Sequence, residues 1–198
     1  MADTPHGGEI LTERLHLVPI GPQHVEDLVT IHQDPWIAEW YAGEWPTAMA
    51  ETFAQACAYG WTMDGIAKWI AYERRTGALV GRGGLSRMPP DDFSSSQIAA
   101  LVGPAWAEQR LELGWAVRDP FRGKGHATEI GGAGLGFAFD RLEAHSVISF
   151  TERHNLASRN VMERLGMQLV GEISARGLIE GMSGEHDNAP FALYVIER

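Results

Sequence analysis

Apolar and polar residues alternate from Ile10 to Ile20, with Leu15 and Leu17 on one face, which predicts a strand. Gly21-Pro22 breaks it. From Pro22 to about His32, Val25, Leu28, Val29 and His32 recur at helical spacing, and His24 and His32 read as surface or helix-face residues. Asp34 to Pro46 has no clean period. It gathers Trp36, Trp40, Tyr41 and Trp45 among Pro35, Gly43 and Pro46, and a helical segment would put Trp36 and Trp40 on one face. Thr47 reads as the N-cap of a helix running to about Tyr59.

Lys68–Glu73 and Leu79–Leu85 read as strands joined by the turn Arg75-Thr76-Gly77, an antiparallel hairpin. Gly81, Gly83 and Gly84 weaken the second strand and suggest a bulge. Pro89 to Ser96 is rich in turn residues and reads as a loop. Ile98–Val102 fits a short strand or a helix, with Trp106 beyond it. Leu111–Val117 is a strand and Ala127–Leu142 a helix, with Ala127, Ile130, Gly134, Phe137 and Ala138 on one stripe. Gly131, Gly132, Gly134 and Gly136 lie inside that helix, each costing about 1 kcal/mol relative to alanine; some are expected to permit close approach to a sheet. Ser146–Thr151 is a buried strand, and Asn155–Leu165 a helix closed by Gly166. Met167–Ile173 and Phe191–Ile196 are closing strands, and the Gly-rich, polar stretch Ser174–Asn188 reads as a mobile loop.

The most informative stretch runs from Leu111 to Ile130. Asp119-Pro120 ends the strand, because proline lacks an N–H and restricts the residue before it. Arg122-Gly123-Lys124-Gly125-His126-Ala127-Thr128 follows and opens the helix. Alternate glycines let the backbone turn sharply and let a ligand reach its amides. The first amides of the helix lack intrahelical acceptors, and the helix dipole adds partial positive charge there. With the charges of Arg122 and Lys124, this is an anion site suited to phosphate or pyrophosphate.

Arg122-Gly123-Lys124-Gly125-His126-Ala127 resembles the pyrophosphate loop of the GNAT N-acetyltransferases. Asn155-Leu156-Ala157-Ser158-Arg159-Asn160-Val161-Met162-Glu163-Arg164-Leu165-Gly166-Met167 is similar to the Asn-x-x-Ser signature of their RimJ/RimL-like branch, which acetylates ribosomal-protein N-termini. Leu11-Thr12-Glu13-Arg14-Leu15-His16-Leu17 resembles that branch's opening. The likeness runs from about Ile10 to Arg198.

The resemblance implies acetyl-CoA as co-substrate and direct transfer of its acetyl group to a primary amine, with no acyl-enzyme. The acceptor is a protein N-terminal amine or, alternatively, a small-molecule amine; a non-catalytic acyl-CoA-binding module is a further alternative. Trp115, Ala116 and Val117 would pair with the pantetheine arm, and a backbone N–H there, that of Val117 by preference, would polarise the thioester. Residues Arg122, Gly123, Lys124, Gly125, His126, Ala127 and Thr128 would take the pyrophosphate. Asn155 would bond the pantetheine, Asn160 would lie near the cofactor, and Ser158 would lie near the sulfur and assist the thiolate. Trp36, Trp40 and Tyr41 would border the acceptor, and Trp106 would return towards the same side. The tyrosine and glutamate that some relatives use as acid and base are replaced by Met162 and Phe150. Glu112 is then the preferred carboxylate, ahead of Glu152 and His154. A homodimer is also implied.

The mixed order of strands and helices, with antiparallel hairpins around a central strand–helix unit, predicts an α+β fold. The resemblance makes this a GNAT-like mixed, mostly antiparallel sheet of about seven strands, splayed at its centre and flanked by about four helices. The 198 residues suit a single domain, with residues 1–8 as a flexible tail. A formal net charge of −10 argues against nucleic acid, whose binding needs phosphate neutralisation. Cys57 is the lone cysteine, no apolar run is long enough for a membrane span, and the start does not resemble a signal peptide, so a cytoplasmic protein is expected. Scattered histidines and the absence of cysteine pairs predict no metal site. Gly123-Lys124 lacks the earlier glycine and the following Ser/Thr of a P-loop. Gly132-Ala133-Gly134-Leu135-Gly136 has the wrong spacing for a dinucleotide fingerprint.

Overall fold

The computed structural model describes residues 8–198. The expected tail therefore lies outside the described residues, except for Gly8, which is buried and accepts a 2.7 Å hydrogen bond from the Trp69 indole through its carbonyl.

Among the described residues, eight strands and seven α-helices form a mixed α/β fold. The strands are β1 (Ile10–Leu11), β2 (Leu15–Pro19), β3 (Lys68–Glu73), β4 (Leu79–Arg87), β5 (Leu111–Val117), β6 (Ser146–Glu152), β7 (Gln168–Leu178) and β8 (Glu185–Glu197). The helices are α1 (Val25–His32), α2 (Pro35–Trp40), α3 (Thr47–Met63), α4 (Phe93–Val102), α5 (Pro104–Gln109), α6 (His126–Arg141) and α7 (Leu156–Arg164). The strands hydrogen-bond in the order β1-β2-β3-β4-β5-β6-β8-β7. β5 and β6 pair in parallel at Glu112 and Ile148, whereas β1–β2, β2–β3, β3–β4, β6–β8 and β7–β8 are antiparallel.

The chain forms two compact units, one of residues up to 86 with 115–134, the other of 87–114 with 135–198. In the first, Ile20, Leu28, Ile31, Ile37, Ala54, Ile70 and Ala116 build the core. In the second, Ile98, Trp106, Ile148, Ile173, Phe191 and Leu193 do so.

Several elements differ from the sequence reading. The strand expected over Ile10–Ile20 is a hairpin: the Thr12 hydroxyl accepts from the Leu15 amide at 3.0 Å and folds β1 back on β2. Residues 22–24 form a 3-10 turn before α1; of the two readings of His24 and His32, the surface one fails, because they are 7% and 0% exposed, and His32 lies on the buried face of α1. Pro46 precedes α3 in extended conformation, so Thr47 is its first residue instead of its cap, and the helix runs on to Met63. The ambiguous stretch before β5 is two helices. Asp92 starts α4 by accepting from the Ser94 amide at 2.7 Å. Trp106 lies in the core with its indole N–H on the Leu111 carbonyl at 3.0 Å, not on an acceptor side.

The largest difference is in Ser174–Asn188. β7 and β8 stay paired out to Leu178 and Glu185, so most of the expected loop is a hairpin. Two register shifts, at Leu169/Gly171 and Ala175/Gly177, interrupt the alternation that a strand pattern needs. A Cβ on Gly177 would stand 2.5 Å from the Phe191 ring, so this glycine fits the strand to that aromatic. In α6 the expected close packing is absent at two glycines: a Cβ on Gly132 or Gly136 meets nothing within 4 Å. The bulge expected in the glycine-rich strand is present, as a register shift opposite Ala71 and Tyr72.

Candidate active site

In the first unit, β5 ends at Val117, a 3-10 turn covers Asp119–Phe121, and the Gly123–Gly125 turn delivers the chain to α6. Gly123 has φ 68° and Gly125 φ 84°, left-handed values that glycine adopts without a Cβ penalty. The first bond into the helix runs from the Glu129 amide to the Gly125 carbonyl at 3.0 Å, so the preceding first-turn amides have no intrahelical acceptor. Gly123, Lys124 and Gly125 are exposed; His126 is buried, with Nδ1 3.0 Å from the Phe121 carbonyl. That contact fixes the end of the turn. Ala127 and Thr128 are half-buried at the start of α6.

The two cations are anchored. Lys124 donates to the Pro120 carbonyl at 2.8 Å. Arg122 donates to Asp119 at 3.0 Å, and its guanidinium lies 3.3 Å from the Trp36 ring centroid. Trp36, expected beside the acceptor, thus packs against the arginine of the glycine turn. Trp40 meets Trp36 edge-on at 6.0 Å, and Tyr41 follows at the end of α2.

Two supports of the turn went unassigned from the sequence. Asp34 caps α2, accepting from the Trp36 amide at 3.1 Å, while its other oxygen accepts from the Asp119 amide at 3.0 Å. Glu129 accepts from the Thr12 hydroxyl at 2.5 Å, the Arg14 amide at 2.8 Å and the Arg14 Nε at 2.7 Å, and Arg14 also donates to the Lys124 carbonyl at 2.6 Å. Both are contacts across long sequence separations. A carboxylate in the first turn of α6 was the only available hint.

Burial alone would raise the Glu129 carboxyl, but the Thr12 and Arg14 hydrogen bonds outweigh it and hold the group below its ordinary 4.5. A lowered carboxyl stabilises the fold above its unfolded value and loses that stability as pH falls through the folded value. The Glu129→Gln protein is expected to lose about 1–2 kcal/mol at neutral pH and to show a flatter decline below pH 4.5. Urea denaturation across that range measures both. The Arg14 side chain is 41% exposed, so solvent screens the ionic part and the hydroxyl and backbone donors carry most of the effect.

Further along β5, Trp115 is half-buried, and Ala116 and Val117 are 7% and 8% exposed. The neighbouring strand comes very close: a Cβ on Gly81 of β4 would stand 2.1 Å from the Ala116 carbonyl oxygen.

In the second unit, buried Asn155 caps α7, its side-chain oxygen accepting from the Ser158 amide at 3.1 Å. Ser158 is half-buried and Asn160 exposed. Gly166 at φ 81° ends α7 in a Schellman arrangement, with Met167 bonded to Met162 and Gly166 to Glu163. Arg159 and Glu163 both bond the hydroxyl of fully buried Tyr194, tying α7 to β8. Met162 is 1% exposed and serves as core. Glu112 is half-buried on β5. Glu152 is 8% exposed at the end of β6, and burial pushes its carboxyl up, against backbone hydrogen bonds and the charge of His154.

Among the described residues no His/Cys/Asp/Glu cluster suits a metal ion, and no helix is long and apolar enough to cross a membrane.

Comparison with known proteins places these features in a family. The acetyltransferase (GNAT) domain matches residues 14–168. An Aspergillus fumigatus protein named FsC-acetyl coenzyme A-N(2)-transacetylase is 29% identical over 161 residues, 79% of this chain; the chain spans 63% of that protein's length. A GNAT-family acetyltransferase from Bacillus anthracis has the same fold, with TM-score 0.68 and 18% identity, covering 96% of this chain and 98% of its own. So does RimL, the ribosomal L7/L12 α-N-protein acetyltransferase solved with coenzyme A, with TM-score 0.68 and 15% identity, covering 95% and 96%.

Proposed function

The chain belongs to the GNAT acetyltransferase family, and we propose that it moves an acetyl group from acetyl-CoA to a primary amine. The observation that carries this reading is the Arg122–Thr128 turn, with exposed left-handed glycines, open first-turn amides and two cations. A Cβ on Gly123 would meet nothing within 4 Å, so a phosphate has room to approach the backbone there.

In the proposed reaction the amine nitrogen attacks the thioester carbon. The N–C bond forms, the C–S bond breaks, the ammonium proton leaves to a base, and the thiolate takes a proton. The Val117 amide is assigned to the carbonyl oxygen, where a fixed donor stabilises developing charge. Trp115 and Ala116 are assigned to the pantetheine arm, and Asn155 and Asn160 to binding the cofactor. Ser158 is assigned to protonating the thiolate and Glu112 to receiving the amine proton, because Met162 and Phe150 can do neither. The acceptor class is a primary amine. A protein N-terminus, as in the RimJ/RimL-like branch, and a small molecule are its two forms.

The test is calorimetric titration with acetyl-CoA, CoA and NAD. Micromolar binding of the first two without NAD is the expected result. Absence of binding to folded, ligand-free protein would overturn the assignment.

A further inference from the structure

Arg82 lies on β4, 5% exposed, with its Nε donating to His32 Nε2 at 2.9 Å and Nη2 donating to the Tyr41 hydroxyl at 2.9 Å. Three aromatic rings surround it, with Tyr41, Trp45 and Phe53 centroids 5.3, 5.4 and 4.7 Å from its Cζ. His32 stacks on Trp45 at 3.4 Å and 3°. Among the described residues no carboxylate pairs with this guanidinium.

A buried charge without a counter-ion is costly, and cation–π contacts offset only part of that cost. The histidine sharpens the point. Because its Nε2 accepts from Arg82, its ring proton sits on Nδ1, which is buried and has no hydrogen-bond partner. Burial and the Arg82 charge push His32 down to about 2, so it stays neutral and adds no anion or second charge. The cluster therefore has donors in excess and lacks an anionic acceptor.

We propose that Arg82 is the carboxylate-binding residue of the acceptor subsite, and that displacement of the Tyr41 hydroxyl from it opens a recess bordered by His32, Trp45 and Phe53, so that the favoured amine carries a carboxylate. This rests on the acetyltransferase reading and narrows its substrate. Two placements connect the recess to the reaction. Gly81, the next residue on β4, packs against the backbone of Ala116 and Val117, whose amide is assigned to the thioester. Tyr41 follows α2, the helix whose Trp36 packs on Arg122 of the pyrophosphate turn. Tyr41 is 39% exposed and is followed by Ala42 and Gly43 at φ 54° and 129°. Its hydroxyl occupies a guanidinium donor that a carboxylate takes bidentately when it enters. A compact acceptor such as an amino acid fits this demand. An acidic side chain at a peptide N-terminus offers the same group and forms the second arm of the test.

The experiment compares L-phenylalanine with phenethylamine, which differ only in the carboxylate, beside a peptide amide beginning in aspartate and its asparagine counterpart. Wild-type protein is expected to favour the carboxylate member of a pair about tenfold or more in kcat/KM, mainly through KM. Arg82→Gln is expected to bring that ratio towards one, and Arg82→Lys to restore it only partly, since lysine lacks the planar fork. Preference in the amino-acid pair supports the small acceptor; preference in the peptide pair alone assigns the carboxylate to a protein terminus. Equal use of both members in wild type, or a ratio unmoved in Arg82→Gln, overturns the proposal. Benzoate titrated into acetyl-CoA-loaded wild-type and Tyr41→Phe protein decides the matter if neither pair turns over or the Arg82 variants do not fold. Binding that tightens in Tyr41→Phe supports the recess, and no binding sinks it. Failure of acetyl-CoA itself to bind would be the separate failure of the acetyltransferase reading.

Discussion

Gly125→Asp is expected to weaken coenzyme A binding about a hundredfold while leaving the protein folded. The residue is exposed at φ 84°, a region that aspartate visits more readily than most side chains, so the backbone strain is about 1–2 kcal/mol. Its Cβ would stand 3.2 Å from Arg14 Nη2, the far end of a flexible side chain that can give way. The new carboxylate, however, would sit where the turn amides and Lys124 are assigned to meet phosphate. Arg122→Ala is expected to do less, about tenfold. Its guanidinium is already engaged by Asp119 and Trp36, and losing it removes part of the field but none of the backbone donors. Calorimetry with coenzyme A reads both variants. Unchanged affinity in Gly125→Asp would place the pyrophosphate elsewhere.

Gly81→Val is the substitution expected to cost the most stability, about 3 kcal/mol or more in urea denaturation. The obstacle is backbone: a Cβ there would stand 2.1 Å from the Ala116 oxygen and 3.0 Å from the Val117 Cα. No rotamer relieves such an overlap, so β4 or β5 must move. Gly132→Ala is the control. Its Cβ meets nothing within 4 Å, and alanine at that helical position is expected to stabilise by up to about 1 kcal/mol. If Gly81→Val proves as stable as wild type, the close approach of β4 to β5 is wrong.

Local chemistry decided what was legible in the sequence. The β3–β4 hairpin, β5, the glycine turn, α6 and the capped α7 each carry their signal within about twenty residues, as a period, a proline stop, an asparagine cap or a closing glycine. The family likeness rests on those same stretches. Elements whose alternation is broken were harder to read. The inner parts of β7 and β8 were legible as Met167–Ile173 and Phe191–Ile196, but their outer halves escaped because the register shift between Ala175 and Gly177 breaks the strand period there. α4 escaped because Asp92, which opens it, lies in a run of prolines, aspartates and serines that also suits a loop, and α5 because it is only six residues long and opens on Gly103-Pro104, a pair that equally suits a turn. The site divided in the same way. The turn itself was visible, whereas Asp34, Glu129 and Arg82 act on partners 41 to 117 residues away. His32 fell on a helical period whose buried side could be assigned only once Arg82 and Trp45 were placed around it.

Asp34 has a consequence for the order of events. One carboxylate holds the first turn of α2 with one oxygen and, through the Asp119 amide, the entrance to the glycine turn with the other. A ligand that stiffens the turn therefore also lowers the entropy that α2 and the Tyr41 segment must lose when a second ligand settles there. Such coupling is reciprocal, so an occupied recess would in turn tighten the hold on the coenzyme. On the proposed assignments, Asp34→Ala is expected to leave each substrate held on its own, with its affinity no longer raised by the other.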